Sequence, residues 1–194
     1  VISNSFTQYG AAVLQSRALV DVRDCLKPSA RQIFFCMDKY KYTAAKPYQK
    51  TMAAIGDAMK HFYIHGDSSC EGIIMRAGQP FAMRYPLIDV KGNGGTLLAS
   101  GNWAAPRYTE ARLAKLSEDG MLAGIKKKNV DFIPNYSETK DEPITLPAIF
   151  PNLLCNPNTG IGVAMACNWL PHNLGEVAQA IYDYMDGKEP IIPG

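Results

Sequence analysis

The sequence predicts an α+β fold, and three observations carry that reading. Helical periodicity recurs through roughly the first eighty residues. A short alternating stretch, "RYPLIDV", and a glycine-rich loop, "KGNGGTLLASGN", follow it. Between residues 129 and 160 five prolines then cut the pattern into short β-like runs such as "VDFIPNY" and "EPITLP".

Taken in order, "SFTQYGAAVLQSRALVDV" is expected to be a helix with Tyr9, Val13 and Val20 near one face. "KPSARQIFFCMDKY" is a second, with Pro28 suited to a first helical position and Ile33, Cys36 or Met37, and Tyr40 at helical spacing. "KTMAAIGDAMKHF" is a third, its stripe formed by Met52, Ile55, Met59 and Phe62. After "YIHGD", the sequence "SSCE" reads as a capping box, Ser68 with Glu71. Ile73, Ile74 and Ala77 then face inward and Gly78 stops that helix. Two helices, a short turn, a strand and a flexible glycine-rich hairpin are the layout of a winged helix. "YTEARLAKLSEDG" is expected to return to helix, with Thr109 as N-cap, Leu113 and Leu116 inward and Gly120 at its end. "NTGIGVAMA" suits a closely packed strand or turn. "HNLGEVAQAIYDYMDG" forms the last helix, capped by Asn173, with Val177, Ile181 and Tyr184 on one face. A boundary is placed near residue 140, dividing the chain into 1–140 and 141–194.

Composition narrows the function classes. The chain has 194 residues, 47% of them hydrophobic, which suits a packed core and argues against disorder. No apolar run approaches the ~18 residues that span a bilayer, and no signal-peptide pattern is visible. The five cysteines share no C-x-x-C spacing and read as reduced thiols of a cytosolic protein; the three histidines make no zinc pattern with them. A net charge of +2 does not announce a nucleic-acid binder. The chain starts at Val1 without methionine and stops at "EPIIPG", so it is expected to be a segment of a longer protein.

Several positions carry chemistry. Tyr108 follows Arg107, a fixed cation able to hold a phosphate or stabilise a phenolate. The helix expected at Thr109 would aim its free N–H groups at the same place. The ordinary reading of Tyr108 is a half-buried aromatic with its hydroxyl in water. Lys27 and Arg31, four apart, could bind consecutive phosphates or form a solvated face. His65 is either a proton-transfer or phosphate-orienting group or a turn residue, and Ser68 is most economically a cap. "KGNGG" lacks the ending of a P-loop and the glycine spacing of a dinucleotide fold, so a mobile wing accounts for it better. The lysines at 126–128 read as a solvated face. Acidic residues Asp89, Glu110, Asp131 and Asp141 form no D-x-D motif. These fragments alone lead to a winged-helix domain that binds DNA.

Eight fragments in order, "SRALVDVRDCLKPSARQ", "HGDSS", "RAGQPFAMRYPLIDVKGNGG", "PRYTEARLAKL", "VDFIPNY", "LPAIFPNLLCN", "TGIGVAMACN" and "PHNLGEV", resemble the A-type breakage-reunion subunit of bacterial type IIA topoisomerases. The resemblance covers nearly the whole chain. It implies a winged-helix cleavage domain over 1–140 and the start of a tower-like α/β domain over 141–194. It makes Tyr108 the nucleophile that joins a DNA 5′ end and Arg107 its transition-state partner. Lys27 and Arg31 become backbone-phosphate contacts, His65 contacts the scissile region, and Ser68 is a DNA-binding position that matches the family's quinolone-linked serine. Ile161 becomes an apolar wedge between base pairs; its plain alternative is a buried core isoleucine. The resemblance also implies double-stranded DNA as substrate, Mg²⁺ held by a separate TOPRIM/ATPase subunit that hydrolyses ATP, a homodimer of the full A-type subunit, and a cytoplasmic, nucleoid-associated location.

The chain departs from the family pattern at Tyr63, Ala30, Gln32, Pro106 and Gly72. The losses at 30 and 32 should weaken phosphate contact, and Pro106 should stiffen the approach to Tyr108. The competing readings are a non-catalytic winged-helix DNA-binding module and an interaction domain descended from the family.

Overall fold

The computed structural model describes residues 2–127, 129–163 and 165–193. It is α+β: six α-helices and three small antiparallel sheets among the described residues. Helix α1 (Ile2–Val13) runs into a π-helical turn over Leu14–Ala18. Helix α2 (Pro28–Lys39) starts where expected, with Pro28 in its first turn and Lys27 extended just ahead of it. Strand β1 (Gln49–Lys50) leads into α3 (Thr51–His61), and α4 (Asp67–Ala77) follows a short turn. Strands β2 (Ile88–Lys91) and β3 (Glu110–Leu113) are the arms of a long hairpin, and β3 lies between β1 and β2.

Helix α2 is the centre of the core. Ile33, Phe34 and Met37 are essentially inaccessible, and they meet Ile55 and Ala58 of α3, Ile74 of α4, and Leu113 of β3 within one cluster. Each such large side chain removed from water contributes about 1.5–3 kcal/mol before entropy is charged. The later part of the chain joins the same cluster through Leu146, Phe150, Cys155 and Val177. It comprises the hairpin β4 (Phe132–Pro134) and β5 (Asp141–Pro143), the short helix α5 (Asn152–Cys155), the hairpin β6 (Asn158–Ile161) and β7 (Ala166–Trp169), and α6 (Leu174–Met185).

Several expectations need correction. Residues 110–113 are a strand and not a helix: Ala111 and Leu113 point inward while Glu110 and Arg112 face out. Pairing with β1 and β2 outweighs the helix propensity of "EARLAKL". Thr109 therefore caps nothing; it is fully buried. The capping box is not made either. Gly66 occupies the N-cap of α4 without a side-chain cap, and Ser68 lies inside the first turn, against Asp67. In α3, Met52 and Met59 are exposed, and Thr51, Ala54, Ile55 and Ala58 make the buried face. In α6, Val177 and Ala180 are buried whereas Ile181 and Tyr184 face outward. In α1, Tyr9 is exposed and Val20 lies beyond the helix. The Asn173 cap is as expected, its side chain accepting from the Gly175 and Glu176 amides. Of the three lysines at 126–128, Lys128 lies outside the described residues.

Candidate nucleic-acid interface

The Arg107–Tyr108 pair sits on a rigid turn. Tyr108 donates its amide to the Ala105 carbonyl at 2.8 Å, closing a turn in which Pro106 occupies the second position, where its fixed φ costs nothing. The turn is tied to α3 on both sides. The Met52 amide donates to the Pro106 carbonyl at 3.1 Å and the Thr51 amide to the Thr109 carbonyl at 3.0 Å. Two of the amides that a helix start leaves unpaired are thus closed by the Tyr108 loop itself. The positive end of a helix does lie beside Tyr108, but it belongs to α3, which precedes the turn in sequence, and not to a helix beginning at Thr109. Tyr108 is 65% exposed, and the Arg107 guanidinium lies 4.7 Å from its ring centre. At an exposed site such a cation–π contact is worth about 0.5–1 kcal/mol. The result is a phenol held outward with a cation against it.

Ile161 stands at the end of β6, 86% exposed, which removes the core reading. The hairpin beneath it is braced. A Cβ on Gly160 would lie 2.1 Å from the Ala18 carbonyl oxygen, so glycine alone permits that approach. Lys27 donates from Nζ to the Thr159 carbonyl at 3.0 Å, linking the start of α2 to the same hairpin. Lys27 and Ile161 are therefore brought together by β6.

Arg31 is placed differently. It is buried, with Nε 2.6 Å from Asp24 Oδ2 and Nη2 donating to Asp24 Oδ1 and the Leu26 carbonyl. Asp24 is fully buried and also accepts from Thr145 Oγ1 and the Leu146 amide. Arg31 thus joins the helical part of the chain to residues 145–146, and a phosphate could recruit it only by breaking that pair. Lys27 and Arg31 do not present one exposed face.

His65 and Ser68 are exposed on the turn between α3 and α4 and on the first turn of α4. Tyr63 is buried and donates to Ser69 Oγ at 2.7 Å; its ring meets His65 edge-on at 5.4 Å. Sequence reasoning missed Asp24, Thr51, Gln79 and Trp103 altogether. Their roles arise from partners far along the chain, and no local spacing signals them.

A family model that describes the A subunit of DNA gyrase/topoisomerase IV matches residues 17–193. The chain belongs to that family. Among relatives in the gyrase/topoisomerase IV A-subunit family, it is 43% identical over 191 residues to the DNA gyrase A subunit of Brachyspira hyodysenteriae, covering 98% of this chain and 23% of that one. It is 44% identical over 194 residues to the DNA gyrase A subunit of Metamycoplasma arthritidis, covering 100% and 21%. It is 41% identical over 188 residues to that of Pseudomonas aeruginosa, covering 97% and 20%. The chain spans less than a quarter of the length of these relatives. No helix of the described residues is long and apolar enough to cross a membrane.

Proposed function

We propose that this chain is the DNA-cleaving part of a type IIA topoisomerase A-type subunit, with Tyr108 as nucleophile. The observation that carries the reading is the exposed Tyr108, backed by Arg107, on a turn pinned to the start of α3. The phenol oxygen attacks a DNA phosphorus; a P–O bond to Tyr108 forms as the bond to the 3′ oxygen breaks. The phenolic proton leaves to solvent or a base and the 3′ oxygen gains one, giving a 5′-phosphotyrosyl link and a free 3′-hydroxyl. Resealing is the reverse, so no energy source is needed for it. Arg107 stabilises charge on the phosphate oxygens. Helices α3 and α4 with the β1–β3–β2 sheet and its long loop serve as a winged helix whose exposed His65 and Ser68 face DNA, while Lys27 and Ile161 engage and bend the duplex. The division near residue 140 into a cleavage part and the start of a tower part belongs to the same proposal, as does a cytoplasmic, nucleoid-associated location.

Among the described residues no group of three or more His, Cys, Asp or Glu side chains could hold a metal ion. The carboxylates for Mg²⁺, and ATP hydrolysis, are assigned to a TOPRIM/ATPase partner subunit, with the A-type subunits paired as a homodimer. The 194 residues alone are then not expected to relax DNA.

The test uses the full subunit with its TOPRIM partner, Mg²⁺ and supercoiled plasmid, stopped with detergent. Protein joined to DNA 5′ ends and lost in Tyr108→Phe is the expected result. Folded, DNA-binding protein that gives no covalent product would instead establish a non-catalytic DNA-binding module.

A further inference from the structure

The loop between β2 and β3 should be a mobile wing by its glycines, yet helix α4 holds it at two points. At the end of α4, the buried Gln79 donates from Nε2 to the carbonyls of both Gly94 and Ser100, each at 2.7 Å. One amide therefore bridges the outgoing and returning arms. In the middle of α4, the half-buried Trp103 lies over Gly72: a Cβ there would meet the far edge of the indole at 3.9 Å. Glu71, the preceding residue, has its carboxyl raised above the ordinary value by burial and by the nearby Asp67, with the Trp103 indole offsetting part of that rise. Its Oε1 is buried among the described residues without a hydrogen-bond partner. The absence of a side chain at Gly72 leaves the flat surface on which an indole can lie.

Trp103 is four residues before Arg107. Immediately after it, the Ala104 amide donates to the Asn93 carbonyl at 3.0 Å, and the turn closed by Ala105 and Tyr108 begins. On the other side, Thr109 is locked to Thr51. The residues between, 104–108, are thus clamped at one end to α4 and at the other to α3.

We propose that Trp103, seated on Gly72, is a positioning residue for Tyr108: helix α4, which offers Ser68 to DNA, also sets where the nucleophile stands. The inference rests on Tyr108 being the nucleophile. Reaction by in-line attack demands placement within a fraction of an ångström, and a displacement of about 1 Å can cost on the order of 100-fold. Loss of the Trp103 seat therefore slows the covalent step at saturating DNA and leaves DNA affinity in place. A merely structural tryptophan would lower the folded fraction without changing the rate per folded molecule.

The experiment uses the full subunit with its partner, and measures the rate of covalent complex formation at saturating plasmid beside DNA affinity. Variants are Trp103→Ala, Trp103→Leu, Trp103→Phe and Tyr108→Phe, normalised to folded protein by circular dichroism. Trp103→Ala is expected to lower the maximal rate by roughly 10- to 100-fold with Kd unchanged. Trp103→Phe, which keeps a flat aromatic seat, recovers most of that loss, and Trp103→Leu, which does not, stays slow. If Tyr108→Phe abolishes the product while Trp103→Ala and Trp103→Phe both cleave at the wild-type rate, positioning is refuted and the nucleophile stands. If Trp103→Ala is unfolded, a wild-type rate in Trp103→Leu, which fills the space without a flat ring, refutes it equally. Covalent product surviving in Tyr108→Phe overturns the underlying reading itself.

Discussion

Thr109 and Thr51 close the base of the Tyr108 turn by two hydrogen bonds. Thr109 Oγ1 donates to Thr51 Oγ1 at 2.9 Å, and the Thr51 amide donates to the Thr109 carbonyl at 3.0 Å. Both residues are fully buried, so neither hydroxyl has water as an alternative partner. Thr109→Val keeps the shape and removes the donor. It is expected to cost about 1–3 kcal/mol, read from the urea midpoint, and to slow covalent cleavage.

The Arg31–Asp24 pair leads to a different expectation from that of a phosphate ligand. Side-chain exposure is 9% for Arg31 and 0% for Asp24. Arg31→Ala leaves a buried carboxylate without its cation and should destabilise the fold by about 3–5 kcal/mol. Denaturant unfolding checks this. A variant of unchanged stability whose DNA binding has merely lost salt dependence would show that Arg31 serves DNA and not the fold.

Gly160 is a steric requirement of the hairpin that carries Ile161. The atom a Cβ would strike is the Ala18 backbone carbonyl, which has no rotamer to escape into. Gly160→Ala should therefore cost about 1–3 kcal/mol by overpacking. It should also reduce DNA bending, measured by energy transfer between duplex ends, by displacing Ile161.

Burial pushes the thiols of Cys25, Cys36 and Cys70 up to about 12, and raises that of Cys155. In folded protein near pH 8 these four should resist an aromatic disulfide reagent, since the thiolate is the reacting form. Cys167 is half-buried and should react first. Unfolding should release all five. Rapid modification of more than one thiol before unfolding would contradict the buried placement.

Glu142 supplies a pH dependence. Its carboxyl is raised above its ordinary value chiefly by burial, despite a hydrogen bond from Gln32 at 3.0 Å. The folded state therefore holds the proton more tightly than the unfolded state, and between the two pKa values stability falls as pH rises. The contribution is full below the unfolded value near 4.5 and has gone once pH passes the raised one. Glu142→Gln should flatten this part of the stability–pH profile, followed by thermal melts from about pH 4 to 7 (~0.5-unit steps suffice for one carboxyl).

The family, the helices starting at Pro28 and near Ser68, the Asn173 cap and the Arg107–Tyr108 pair were legible because each is written in neighbouring residues. Proline at a helix start and asparagine at a cap act through their own backbone and the next three amides. The exposure of Ile161 was not legible, since "TGIGVAM" is equally apolar in a core or at a tip.

What the sequence by itself determined is therefore the helices whose starts are written in neighbouring residues, the presence of a tyrosine beside an arginine, and the family. Only the tertiary structure decided that 110–113 is a strand, that Thr109 locks to Thr51, that Arg31 answers Asp24 and that Trp103 rests on Gly72. The physical reason is the range of the forces involved. Helix spacing in "EARLAKL" and strand alternation at Ala111 and Leu113 are both present in the same letters, and the choice between them was made by the hydrogen bonds that β1 and β2 offer from far along the chain.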